Sequence, residues 1–152
     1  MVHPQRTCSH MELLPLVCLC LLSCSGTTSA DPAGRVVVKQ DDDVILPCSL
    51  DGVNIKSKVF DWKKDGQPTK EVFLYAAGSH YNNGREGQNE QFKGRVSHFE
   101  DELEQGNASI KITRARMEDS GDYTCKFPRD PSLKTVHVKL VVDRVLTSCG
   151  SF

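Results

Sequence analysis

The chain has 152 residues, with 19 Lys and Arg against 20 Asp and Glu for a formal net charge of −1. That length has room for one domain. A near-neutral mixture of signs gives no electrostatic footprint for nucleic acid or an anionic membrane surface.

The first predicted element is a leader. Arg6 and neighbouring histidines precede an apolar run, Leu13–Cys24, too short to span a bilayer as a helix. Thr28 and Ala30 then occupy the −3 and −1 positions of a cleavage site. The pattern is that of a secretory signal peptide over residues 1–30, although its long polar start also fits a signal anchor. Removing it takes away Cys8, Cys18, Cys20 and Cys24 and leaves Cys48, Cys125 and Cys149. In an oxidising compartment two of these pair and one is left over. No later segment has the ~20 apolar residues of a spanning helix, so a secreted chain is expected unless an anchor lies outside this sequence.

From residue 35 onward helical periodicity is nearly absent, and short β-rich runs alternate with turn clusters, as in an all-β sandwich or barrel. "RVVVK" (35–39) comes first, followed by the acidic turn of Asp41–Asp43. In "VILPCSL" (44–50) Val44, Leu46, Cys48 and Leu50 share the core face, and Pro47 marks an edge-like or irregular segment. "KVFDWKK" (58–64) turns Phe60 and Trp62 inward and Val59, Asp61 and Lys63 outward, before an Asp65–Gly66 turn. "KEVFLYAA" (70–77) leads to a polar stretch, "GSHYNNGREGQNEQ", expected as loops with a short edge strand. "GRVSHF" (94–99), "ASIKIT" (108–113), "DYTCKF" (122–127) and "TVHVKLVV" (135–142) complete the set. In the last of these Val136, Val138, Leu140 and Val142 share one face, and His137, Lys139 and Val141 the other. Residues 31–143 form the expected domain, and 144–152 an unstructured tail.

Within "MEDSGDYTC" (117–125) the positions Asp119, Gly121, Tyr123 and Cys125 are spaced by two. In a strand that spacing puts them on one side, so something buried is built there. Trp62 lies between two cysteines, and Tyr123 stands two residues before the second of them.

This frame resembles an immunoglobulin domain of the variable type. The run "GRVSHFEDELEQGNASIKITRARMEDSGDYTC" is further similar to the butyrophilin, myelin-oligodendrocyte-glycoprotein and T-cell costimulatory-ligand superfamily. The resemblance covers residues 35–142 and implies an all-β Greek-key sandwich of two antiparallel sheets joined by a Cys48–Cys125 disulfide. The chain-entropy model values that closure at about 4.5 kcal/mol. Trp62 would pack on the bridge, Tyr123 would bond back to the backbone near 117–119, and Arg95 would pair with Asp119 at the E–F corner. The stretch after residue 70 would supply strands C′ and C″. Cys149 stays unpaired in the tail, where its thiol could link two chains. Family members usually add a constant-type domain and a transmembrane helix, which this sequence lacks.

The resemblance also implies function: a cell-surface or secreted ligand that binds a lymphocyte receptor and modulates T-cell activation and cytokine production. An adhesion module is the alternative within that superfamily. An antigen-receptor variable domain fits less well, because "PSLKTVHVKLVV" lacks the Phe-Gly-x-Gly of its last strand. Catalysis is not expected, since His80, His98 and His137 have no motif spacing and neither G-x-S-x-G nor H-E-x-x-H occurs. No cofactor or metal is expected either, because Asp41–Asp43 are adjacent acids without the spaced oxygens of a calcium loop. "NAS" at 107–109 is an N-glycosylation sequon, expected in an exposed turn. Variable-type domains commonly meet receptors with the outer face of strands G, F, C and C′. Alternation assigns Asp61, Lys63, Thr124, Lys126, His137 and Lys139 to that face, with part of C′ near Phe73 and Tyr75. An electropositive patch is expected, seeking an acidic or aromatic-rich partner, with "PRDPS" (128–132) at its end.

Overall fold

The computed structural model describes residues 34–76 and 87–144. They form strands β1 (Arg35–Lys39), β2 (Val44–Leu46), β3 (Phe60–Lys64), β4 (Lys70–Tyr75), β5 (Val96–His98), β6 (Ile110–Ile112), β7 (Gly121–Lys126) and β8 (Val136–Asp143). Short 3-10 turns at Glu90–Phe92, Glu100–Gln105 and Met117–Asp119 link them. A five-stranded sheet has the order β1-β8-β7-β3-β4, and a three-stranded sheet the order β2-β6-β5. All pairings are antiparallel except β1 with β8, which is parallel.

The alternation of apolar residues explains the layering. Val44, Leu46, Cys48 and Leu50 are buried while Ile45, Pro47 and Ser49 face solvent. Val138, Leu140 and Val142 of β8 meet them across the interior, in one cluster with Phe60, Trp62, Val72, Ile110 and Ile112. Cys48 and Cys125 are joined across the two sheets with Cα atoms 6.6 Å apart. Trp62 stands directly opposite Cys125 in the β3–β7 register and is fully buried. Its indole Nε1 donates to the carbonyl of Ala108 at 2.8 Å, which satisfies the one polar group it brings inside.

At the E–F corner the Tyr123 hydroxyl donates to the carbonyl of Asp119 at 2.6 Å. Burial pushes that phenol well above its ordinary pKa, so it remains a donor. Asp119, itself fully buried, accepts from both terminal nitrogens of Arg95 at 2.9 Å. Gln91 Nε2 donates to it at 2.7 Å and the Arg116 backbone N–H at 2.8 Å. Burial alone would raise this carboxyl's pKa, but the hydrogen bonds from Arg95, Gln91 and Arg116 bring it below the usual range.

Gly106 makes the turn into β6 feasible. Its φ is +89°, and a Cβ there would stand 2.0 Å from the carbonyl oxygen of Leu50. Only glycine fits such a left-handed position with backbone this close.

Two expectations need correction here. Val59 is buried rather than outward, because β3 begins at Phe60 and the preceding residue lies outside its alternation. The "GRVSHF" and "ASIKIT" runs yield strands of only three residues each, with a 3-10 turn over the acidic segment between them. The expected signal peptide, the C″ region within residues 77–86 and Cys149 lie outside the described residues. Among the described residues no helix is long and apolar enough to cross a membrane.

Candidate functional site

The outer face of β8, β7, β3 and β4 is built by the side chains that alternation turns away from the core. On β8 these are the exposed His137 and Lys139, and on β7 the exposed Asp122 and Lys126. On β3 they are Asp61 and Lys63, both partly covered. Cross-strand register sets Lys139 opposite Asp122, His137 opposite Thr124, and Lys126 opposite Asp61.

Strand β4 departs from simple alternation. Its register against β3 shifts between Trp62 and Lys63, so that Trp62 pairs with Phe73 while Lys63 pairs with Glu71. The extra residue, Val72, is a β-bulge and turns inward beside Phe73. Phe73 and Tyr75, expected near the partner face, are therefore core residues at 3% and 4% exposure. The Phe60 ring stacks on Tyr75 at 4.9 Å, and the Tyr75 hydroxyl donates to the Lys56 carbonyl. Their places on the outer face go to Glu71 and Leu74.

Thr124 also differs from expectation. It points outward in register yet is only 4% exposed, because its neighbours close over it. Its hydroxyl lies 2.9 and 3.1 Å from the two carboxylate oxygens of Asp65, to which it donates, and 3.2 Å from His137 Nδ1. Beside it opens a hollow of about 370 Å³, lined by Asp61, Lys63, Asp65 and Lys126 among others.

The charge of the face is mixed rather than electropositive. Lys63 lies 3.2 Å from Asp61 and 3.7 Å from Glu71. Its hydrogen bond to Asp61 raises the ammonium pKa, so the lysine stays charged and neutralised in place. His137, Lys139 and Lys126 are exposed, and Asp122 and Asp65 stand among them. Glu71, Asp65 and Asp122 escaped the sequence reading. The run Val72–Phe73–Leu74–Tyr75 is apolar throughout, so alternation could not mark the bulge that turns Glu71 outward.

The segment between β7 and β8 sits at the end of this face. Backbone turns close Phe127 to Asp130 and Asp130 to Leu133, and Asp130 accepts from Lys58 Nζ at 2.6 Å. On the opposite sheet, Ile45, Lys111 and Ser97 form a row across β2, β6 and β5. Lys111 is held there by Asp43 at 2.9 Å, so part of the expected acidic turn serves as an ion-pair partner.

Known proteins are similar to this chain. A CD276 antigen homolog of Xenopus laevis is 32% identical over 117 residues, covering 72% of this chain and 36% of that protein. The "V-set domain-containing T-cell activation inhibitor 1" of Rattus norvegicus is 27% identical over 88 residues, covering 55% of this chain and 29% of that protein. The crystal structure of bovine butyrophilin superposes with a TM-score of 0.63 at 27% identity, over 75% of this chain and 53% of that one. The chain thus spans roughly a third of the length of these curated relatives. The model of the immunoglobulin V-set domain matches residues 31–143, and the chain belongs to that family.

Proposed function

We propose that this chain is an extracellular immunoglobulin ligand that binds a protein receptor on lymphocytes and modulates T-cell activation and cytokine production. The outer face of β8, β7, β3 and β4 is its docking surface. The supporting observation is the row of exposed, mixed-sign side chains at Lys126, His137 and Lys139 with Asp122 and Asp65, beside the anchored turn at Asp130. Mixed charge favours a partner with a complementary pattern over one that is simply acidic, because unlike neighbours must meet unlike neighbours to be matched. Similarity to a protein named as a T-cell activation inhibitor supports the lymphocyte direction.

The reading includes secretion by way of residues 1–30, a glycan on Asn107 and an unpaired Cys149 able to link two chains. It includes no catalysis and no cofactor. Thr124, His137 and Asp65 do come together, but the threonine stands in the middle and its hydroxyl is spent on the carboxylate. In a nucleophilic triad the imidazole takes that place and the acid orients it.

The purified domain should bind lymphocytes saturably and should not bind a surface coated with itself. Binding confined to its own copies would replace this reading with homophilic adhesion.

A further inference from the structure

The sequon Asn107–Ala108–Ser109 is not the free surface turn that a glycan acceptor needs. Each of its residues is pinned to the Cys48 segment or its surroundings. Ser109 is 7% exposed, and its hydroxyl accepts the backbone N–H of Cys48 at 3.0 Å. The Ala108 N–H donates to the Cys48 carbonyl at 2.8 Å, and the Ala108 carbonyl accepts the Trp62 indole. Asn107 forms an isolated β-bridge with Ser49. Its Oδ1 accepts the Ser109 N–H at 2.9 Å, and its Nδ2 donates to the Glu102 carboxylate. The adjoining Gly106 is buried with its carbonyl bonded to the Leu50 N–H at 2.9 Å.

Glycan transfer breaks the bond between the sugar C1 and the pyrophosphate oxygen of a polyisoprenoid-linked oligosaccharide. A bond forms from C1 to the Asn107 Nδ2, the amide nitrogen loses a proton, and the lipid pyrophosphate leaves with the bonding electrons. The reaction needs Nδ2 and the serine hydroxyl both free for the transferase. In the closed sandwich Nδ2 is held by Glu102 at the surface, whereas the serine hydroxyl is both engaged and covered.

We infer that Asn107 is efficiently glycosylated only before the Cys48–Cys125 sandwich closes, so that pairing of residues 107–109 with the Cys48 segment shuts the site. Occupancy is then set by a race between transfer and closure of the disulfide-bonded core. A chain that closes first is glycosylated at this position only through its locally opened fraction, and so more slowly. The inference rests on the secretory reading for its place in a cell, but its chemistry can be tested without a leader or a receptor.

The test uses the full chain in two states, reduced and unfolded, or oxidised and folded with Cys48–Cys125 mapped. Each is incubated with purified oligosaccharyltransferase and lipid-linked oligosaccharide, and the mass of the Asn107 peptide is followed. The reduced chain should gain one glycan, and the folded chain should react slower by on the order of tenfold or more, because only its locally opened fraction can react. Asn107→Gln should abolish the gain in both states. Equal rates for folded and reduced chain, or no transfer to either, would overturn the inference.

Discussion

Arg95 and Asp119 meet in a two-pronged ion pair, Nη1 to Oδ2 and Nη2 to Oδ1, both at 2.9 Å, with the carboxylate fully buried. The pair links the start of β5 to the turn before β7, and so ties the small sheet to the large one. Arginine is suited to it because its planar fork matches the carboxylate. Removing one partner strands the other charge in the interior.

Asp119→Ala should therefore destabilise the fold by about 3–5 kcal/mol, measured as a shift in urea midpoint. Arg95→Lys should also destabilise, since one ammonium cannot make both bonds. A loss under about 1 kcal/mol for Asp119→Ala would mean that the corner relaxes without the pair.

The same carboxyl sets an acid limit. Burial favours its neutral form, but the donors around it depress its folded pKa below the ordinary value. Its stabilisation is thus complete above the unfolded aspartate pKa, about 3.9, and is lost as pH falls through the lower folded value. Urea midpoints from about pH 5 downward should fall more steeply for the native chain than for Asp119→Asn. Parallel pH profiles would assign acid sensitivity to other carboxylates.

The bulge at Val72 can be tested by truncation. Phe73→Ala should cost about 3–5 kcal/mol, whereas Leu74→Ala, on the outer face, should cost under about 1 kcal/mol. The reverse order in chemical denaturation would restore the unbulged register.

Gly106→Ala places a Cβ against the Leu50 carbonyl at a left-handed φ. It should cost at least about 1–3 kcal/mol and lower the thermal midpoint. Gly52→Ala shares a positive φ but meets nothing within 4 Å, so it should cost less.

These particulars mark what was legible in the sequence. The frame of Cys48, Trp62, Tyr123 and Cys125 carried the sandwich through its resemblance to variable-type immunoglobulin domains. The alternation in 44–50 and 136–142 carried the core face of two strands without help. Phe73 and Tyr75 were misplaced because a single inserted residue reverses every side chain beyond it, and a bulge is a tertiary choice. Thr124 was correctly turned outward, but its cover depends on Asp65 and His137, which lie far from it in sequence or on a neighbouring strand. The bulge adds to the mixed charge of the face by bringing Glu71 beside Lys63, while Asp65 and Asp122 were present in the sequence but not assigned to it. Gln91, a donor to Asp119, had no sequence signal at all.

We propose that the outer face of the larger sheet meets the receptor. Lys126→Glu and Lys139→Glu should be made together, their fold confirmed by thermal melt, and the variant titrated against receptor-bearing lymphocytes beside Lys111→Glu on the opposite sheet. The double variant should weaken binding on the order of tenfold or more while Lys111→Glu leaves it unchanged. Undiminished binding of the double variant, together with loss in Lys111→Glu, would contradict it.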